Sequence, residues 1–218
     1  GLVANETLKV EVRTSALRAL ATLKDPKLND SIQIARKDKE QALRREGSRQ
    51  LTAAAGPNML KTIASTLEQG SVGEQQAALE TLASLQSEEA DALVVTWLQK
   101  LKDGTVPKEI QLDVIIAAQG RKDAAVKAAV KAYNSTQNKK DNLYGFRETL
   151  YGGDAARGKE IFYERAEAAC FRCHKINGEG GDVGPDLGKI GSQKPREYLL
   201  DSIIHPNAVI APGFENVN

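Results

Sequence analysis

The chain has 218 residues, of which 41% are hydrophobic, 27% charged and 5% aromatic, a balance that suits a soluble, helix-rich protein of one or two domains. Lys and Arg number 30 against 29 Asp and Glu, and a formal net charge of +1 offers neither a nucleic acid nor a membrane surface an electrostatic hold. No apolar run approaches the ~18 residues of a membrane-spanning helix, and the only two cysteines, Cys170 and Cys173, lie in one short motif, which excludes a disulfide framework. The sequence opens Gly1-Leu2 with no leader peptide in view, so it reads as a mature or excised segment.

Residues 1–133 read as helical repeats. Leu20, Leu51, Leu82 and Ile115 occupy equivalent apolar strings at intervals of 31, 31 and 33 residues. Breaks at Asp25-Pro26, Gly56-Pro57, Ser87-Glu88 and Gly120-Arg121 keep the same step. A period of about 30–40 residues with two helices per unit predicts an α-solenoid. A plain helical bundle is the alternative, because periodicity alone does not fix how helix pairs stack. After Ser87, an N-cap residue, Ala90, Leu93, Val94, Trp97, Leu98 and Leu101 form one apolar stripe at helical spacing, and Lys100, Lys102 and Gly104 close it. Met59 and Trp97 sit in apolar patterns and belong in the core. Carboxylates and lysines are interspersed as on solvated helix faces, and no catalytic constellation is visible.

The polar run Asn134 to Lys140, a short helix from Tyr144 to Leu150 and the pair Gly152-Gly153 together predict a linker over 134–153. From Asp154, a capping residue, an amphipathic helix is expected through Phe162. Then comes Cys170-Phe171-Arg172-Cys173-His174, the C-x-x-C-H signature of covalent haem attachment. Two thiols on so short a loop reach the two vinyl groups of one porphyrin edge, and His174 offers an imidazole nitrogen to the iron. Other chemistries fit less well. A thioredoxin-like pair follows a strand, and none is legible before Cys170. A zinc site built from Cys170, Cys173, His174 and His205 asks the neighbours Cys173 and His174 to converge on one tetrahedral ion.

The order of Asp154 to Phe162, the haem motif, Gly184-Pro185-Asp186-Leu187 and a helix over about Pro195 to Ile204 resembles class I cytochromes c. That resemblance implies that Gly158 and Phe162 let the first helix pack against a C-terminal one. It also implies that the Pro185 carbonyl, 11 positions after His174, accepts the other ring N–H of the ligating histidine. The longer strings Gly178 to Leu187, Tyr198 to Pro206 and Ile210 to Glu215 are similar to the haem-binding domain at the C-terminal end of large bacterial dehydrogenases of membrane-bound or sugar type. In those chains a β-propeller and HEAT-like repeats come first. The turn prolines and the Arg44-Arg45 pair upstream likewise resemble HEAT-type repeats.

One departure matters. Class I cytochromes take a methionine as second axial ligand and close with a C-terminal helix, but Met59 is the only methionine here and Asn218 lies just 44 residues past His174. The resemblance therefore implies a C-terminally truncated domain, with Ile161 and Phe162 left partly uncovered at a cost of about 1.5–3 kcal/mol each. Disorder or an intermolecular contact near the haem is expected to follow. His205, ending the last helix, is the candidate for the sixth iron position; a surface histidine favoured at a helix C-terminus and an open or water-bound site are the other readings.

The expected architecture is all-α: a HEAT-like α-solenoid over 1–133, a linker over 134–153 and a small cytochrome c domain over 154–218. One covalent haem c, held by Cys170, Cys173 and His174 with Pro185 behind the imidazole, would carry single electrons to or from a redox partner protein or a fused dehydrogenase domain. No enzymatic activity of its own is expected. Because vinyl-thioether bonds are made outside the bacterial cytoplasm, the resemblance implies a periplasmic or otherwise exported protein. A dehydrogenase parent chain for which this segment is the outlet, and a sensing module that binds a small gas at an open sixth site, are the competing functions.

Overall fold

The computed structural model describes residues 1–54 and 56–215. These are helical almost throughout: α1 (Val10–Thr22), α2 (Leu28–Arg36), α3 (Gln41–Ala54), α4 (Met59–Gln69), α5 (Val72–Ser84), α6 (Glu88–Lys102), α7 (Gln111–Ala118), α8 (Ala124–Thr136), α9 (Ala155–Glu164), α10 (Cys170–Cys173), α11 (Ile190–Gln193) and α12 (Arg196–Ile204). Two two-residue strands, β1 (Lys175–Ile176) and β2 (Glu179–Gly180), form the one hairpin among the described residues. The fold is all-α. It divides into two compact units, one spanning Gly1–Thr136 and one beginning at Gln137. Residues 134–136 thus complete α8, and 137–153, read from sequence as a linker, fall in the second unit, where Leu143 and Leu150 are buried.

In the first unit the periodic apolar residues mark one layer. Leu20, Leu51, Leu82 and Ile115 fall on α1, α3, α5 and α7, which pack each against the next, while α2 lies on α3, α4 on α5, and α6 on α7 and α8. Two apolar cores result. One, built of Val3, Leu17, Ile32, Ala35 and Leu43, ties the N-terminus to α1–α3. The larger gathers Ile63, Leu67, Leu79, Leu82, Trp97 and their neighbours from α4 to α8, with Met59 packed at its edge. Each large side chain at or near 0% exposure contributes about 1.5–3 kcal/mol by leaving water. The α6 stripe is as its spacing required: Ala90, Val94, Trp97, Leu98 and Leu101 are buried, and the Ser87 hydroxyl accepts the Ala90 N–H at 3.2 Å.

The charged residues depart from the solvated faces that the sequence suggested. Arg13, Glu46 and Arg121 are buried, and among the described residues every buried side-chain nitrogen or oxygen has a hydrogen-bond partner. Glu74 joins three helices. It closes a capping box with Ser71 at the start of α5, accepts Arg36 Nη2 of α2 at 2.8 Å, and receives the Ser48 hydroxyl of α3 at 3.4 Å. Burial pushes its carboxyl up, but the Ser71 N–H and hydroxyl and the Arg36 guanidinium outweigh this and hold it below its ordinary 4.5. A carboxyl depressed in the folded state stabilises above its unfolded pKa, and that stabilisation fades as pH falls through the folded value. Glu74→Gln is therefore expected to cost about 2 kcal/mol at neutral pH and much less near pH ~3, as read by thermal unfolding at both. An equal loss at the two pH values would refute the electrostatic account.

The second unit is built differently. From Tyr151 to Glu215 no residue is buried, although Phe162, Tyr163, Phe171, Ile176, Leu199 and Leu200 are half-buried and Ile203 is 78% exposed. Its helices hold to each other through polar links and ring contacts. Asp154 Oδ1 caps α9 by accepting the N–H groups of Ala156 and Arg157 at 2.9 and 3.1 Å. Arg196, at the start of α12, donates to the Leu150 carbonyl at 3.0 Å and lies over the Tyr151 ring. Of the two residues expected to be partly uncovered, Ile161 is 38% exposed and Phe162 is half-buried.

Candidate functional site

The chain leaves α9 at Arg165 and reaches Ala169, whose φ of +50° is unusual for a residue with a side chain. That left-handed residue starts the single turn α10, closed by the His174 N–H on the Cys170 carbonyl at 3.0 Å. On one helical turn, positions three apart share a face, so the two thiols of Cys170 and Cys173 are presented together. Both are free and half-buried. Phe171, between them, turns inward onto Tyr163 of α9, with ring centroids 4.8 Å apart. Arg172 faces out.

After His174 the chain reverses. Asn177 and Gly178 have φ of +55° and +84°, the positive values of a two-residue primed turn, and Asn-Gly is the pair best suited to it. The hairpin pairs Lys175 with Gly180 and Ile176 with Glu179. The following loop is then laced back onto the motif. Gly181 N–H binds the Phe171 carbonyl at 3.1 Å, Gly184 N–H the Cys173 carbonyl at 2.7 Å, and Leu187 N–H the Lys175 carbonyl at 2.8 Å. Lys175 forms an ion pair with Asp182 across the same loop.

This lacing delivers Pro185 to His174. The Pro185 carbonyl lies 2.9 Å from His174 Nδ1, and because a carbonyl only accepts, Nδ1 carries the proton. In the neutral ring Nε2 is then the nitrogen that offers a lone pair. Gly184 lies flat against the ring: a Cβ there would fall 2.6 Å from Cε1 and 2.8 Å from Nδ1. The imidazole is thus fixed in tautomer and in plane, as a metal-ligating histidine requires.

His205 sits elsewhere, as the C-cap of α12. Its Nδ1 is 2.9 Å from Asp201 Oδ1, one turn back, and the side chain is 47% exposed. Among the described residues no three His, Cys, Asp or Glu side chains converge in a way that could hold a metal ion, which removes the support for a zinc cluster of Cys170, Cys173, His174 and His205. A thioredoxin-like setting is absent too, since a helix rather than a strand precedes Cys170. The donor set fits covalent haem: two free thiols on one face of one turn, the next residue an oriented imidazole, and a surrounding segment, 151–215, in which polypeptide fully covers no apolar side chain. The Asn177-Gly178 turn and the loop amides that set His174 in place are the parts sequence reasoning missed, although Asn-Gly was there as a signal.

No curated protein and no solved structure matches the chain. Residues 155–218 match the family model described as Cytochrome c, so this segment is a cytochrome c domain, and its general work is electron transfer on a covalently bound c-type haem.

Proposed function

We propose that this chain is the electron-outlet segment of a larger periplasmic oxidoreductase of dehydrogenase type. Cys170 and Cys173 would hold one haem by thioether bonds and His174 Nε2 would be the proximal ligand, with Pro185 accepting from Nδ1. Bound haem supplies one-electron Fe(III)/Fe(II) exchange. The protein's part is to fix the imidazole, limit water and leave an edge open to a redox partner; no substrate chemistry is assigned to it. The observation that carries this reading is the His174–Pro185 hydrogen bond on the turn that bears both thiols. The first unit is read as HEAT-like repeats that space or dock the cytochrome domain, supported by the 31- and 33-residue steps that place equivalent apolar residues on α1, α3, α5 and α7. Among the described residues no helix is long and apolar enough to cross a membrane.

Protein matured in a host that attaches haem should show Soret and α bands that survive acid-acetone extraction, and Cys170→Ala/Cys173→Ala protein should lose its colour in the same extraction. Colourless wild-type protein at the mass of the bare chain would refute the assignment. Adding carbon monoxide to the reduced protein tests the sixth position: an unchanged spectrum means two firm protein ligands, with His205 as the candidate second, and uptake means an open site.

A further inference from the structure

We propose that the groove between α9 and the β1–β2 hairpin docks a cationic segment of the partner protein, one that presents lysines or arginines beside an aliphatic side chain. That the partner is a redox protein rests on the reading above; the chemistry of the groove does not. The groove encloses about 560 Å³. Its floor is Tyr163 and Ile176, both half-buried. On its rim stand Glu160 and Glu164, one turn apart on α9, and Glu179 on β2.

Among the described residues none of these three carboxylates forms an ion pair with a side chain. Lys175 pairs with Asp182, and Lys159, also on the rim, lies 5.9 Å from the centre of the Tyr163 ring. Three carboxylates against one lysine leave the rim at a net −2. Like charges at i and i+4 work against the helix that bears them, so as a pair Glu160 and Glu164 do not favour α9. Facing a cationic partner, the same charges steer encounter and fix register. The apolar floor then gives an aliphatic side chain a place to leave water.

The floor also leads inward. Tyr163 contacts Phe171, the residue between the two cysteines, so a segment seated on Tyr163 is one aromatic layer from the haem-bearing turn. Docking here would bring the partner to the attachment side of the domain.

The test uses the full haem-loaded chain and a synthetic amphipathic peptide of lysine and leucine, titrated calorimetrically at low salt, with a glutamate/leucine peptide of the same pattern as control. The lysine peptide should bind and the glutamate peptide should not. Combining Glu160→Lys, Glu164→Lys and Glu179→Lys should weaken binding about tenfold or more with an unaltered visible spectrum, and about 0.5 M salt should do the same to the native groove. Equal affinity in the triple variant, preference for the glutamate peptide, or no binding at low salt would each overturn the proposal. The spectrum separates the two readings. Colourless protein with glutamate-dependent peptide binding sinks the haem assignment and keeps the groove; coloured protein without it sinks the groove alone.

Discussion

Gly184→Ala protein should keep its covalent haem and lose the fixed orientation of the His174 imidazole. The new Cβ would fall 2.6–3.1 Å from three atoms of the His174 ring, closer than carbon atoms approach without displacement. The backbone has little room to retreat, because the Gly184 N–H is bound to the Cys173 carbonyl at 2.7 Å. The ring must therefore move, and the hydrogen bond from Nδ1 to Pro185 goes with it. Overpacking of this kind costs about 1–3 kcal/mol, enough to populate a second ligation state. Thioether bonds are covalent and do not depend on the ring's position, so pigment should still resist acid-acetone extraction. The change should show as a mixed spin state in the oxidised visible and electron paramagnetic resonance spectra, and as carbon monoxide uptake above that of the parent. Spectra identical to the parent's would mean that Gly184 does not set the imidazole.

Much of this site could be read from residue order alone, and the reason is local. Cys170, Cys173 and His174 lie on or directly after one helical turn, so their spacing is their geometry. Pro185 is not local; its place beside His174 was implied by resemblance, and the physical cause is the set of loop amides bound to Phe171, Cys173 and Lys175, which no spacing rule reveals. The first unit divides in the same way. Apolar period gave the α1, α3, α5 and α7 layer and the α6 stripe, because burial acts on every repeat alike. The ion pairs were missed, since a charged residue has the same pattern whether it faces water or a partner helix. A signal was present nonetheless. Arg121 and Asp91 are 30 positions apart, Arg49 and Glu80 31, Lys100 and Glu68 32, and Lys39 and Glu6 33. Those four separations lie close to the 31- and 33-residue apolar steps, whereas Arg13–Asp38, Arg18–Glu46 and Arg36–Glu74, at 25, 28 and 38, do not.

The two units also differ in what supplies their core. Leu17, Leu43, Ile63, Leu67 and Leu82 reach 0% exposure among themselves and their neighbours, so the first unit should unfold as a protein whose stability is its own packing. Between Tyr151 and Glu215 polypeptide never covers a side chain to that degree. The stability of that segment should track haem loading, through the covering a large apolar ligand gives.

Arg121→Ala should be among the most damaging single changes in the first unit. The side chain is 1% exposed and follows Gly120, whose φ of +73° turns the chain between α7 and α8. From there Nε donates to the Ala117 carbonyl at 2.7 Å, Nη2 to the Leu82 carbonyl, and Nη1 to Asp91. One guanidinium thus joins α5, α6 and α7. Its removal leaves two buried carbonyls without that donor and a carboxylate, 22% exposed, without its cation. Breaking a buried pair from one side costs about 3–5 kcal/mol, or roughly 10 °C or more in Tm for a unit of this size. Arg121→Lys keeps the charge but not the planar fork, so it should recover the Asp91 contact and lose the carbonyls, falling between the two. Asp91→Asn should cost less than Arg121→Ala, because the guanidinium keeps both carbonyls. Thermal unfolding by far-ultraviolet circular dichroism orders the three variants, and the visible bands of the cytochrome domain report whether the damage stays in the first unit. A loss under about 1 kcal/mol for Arg121→Ala would show that water replaces the guanidinium freely and that this junction does not hold the helices.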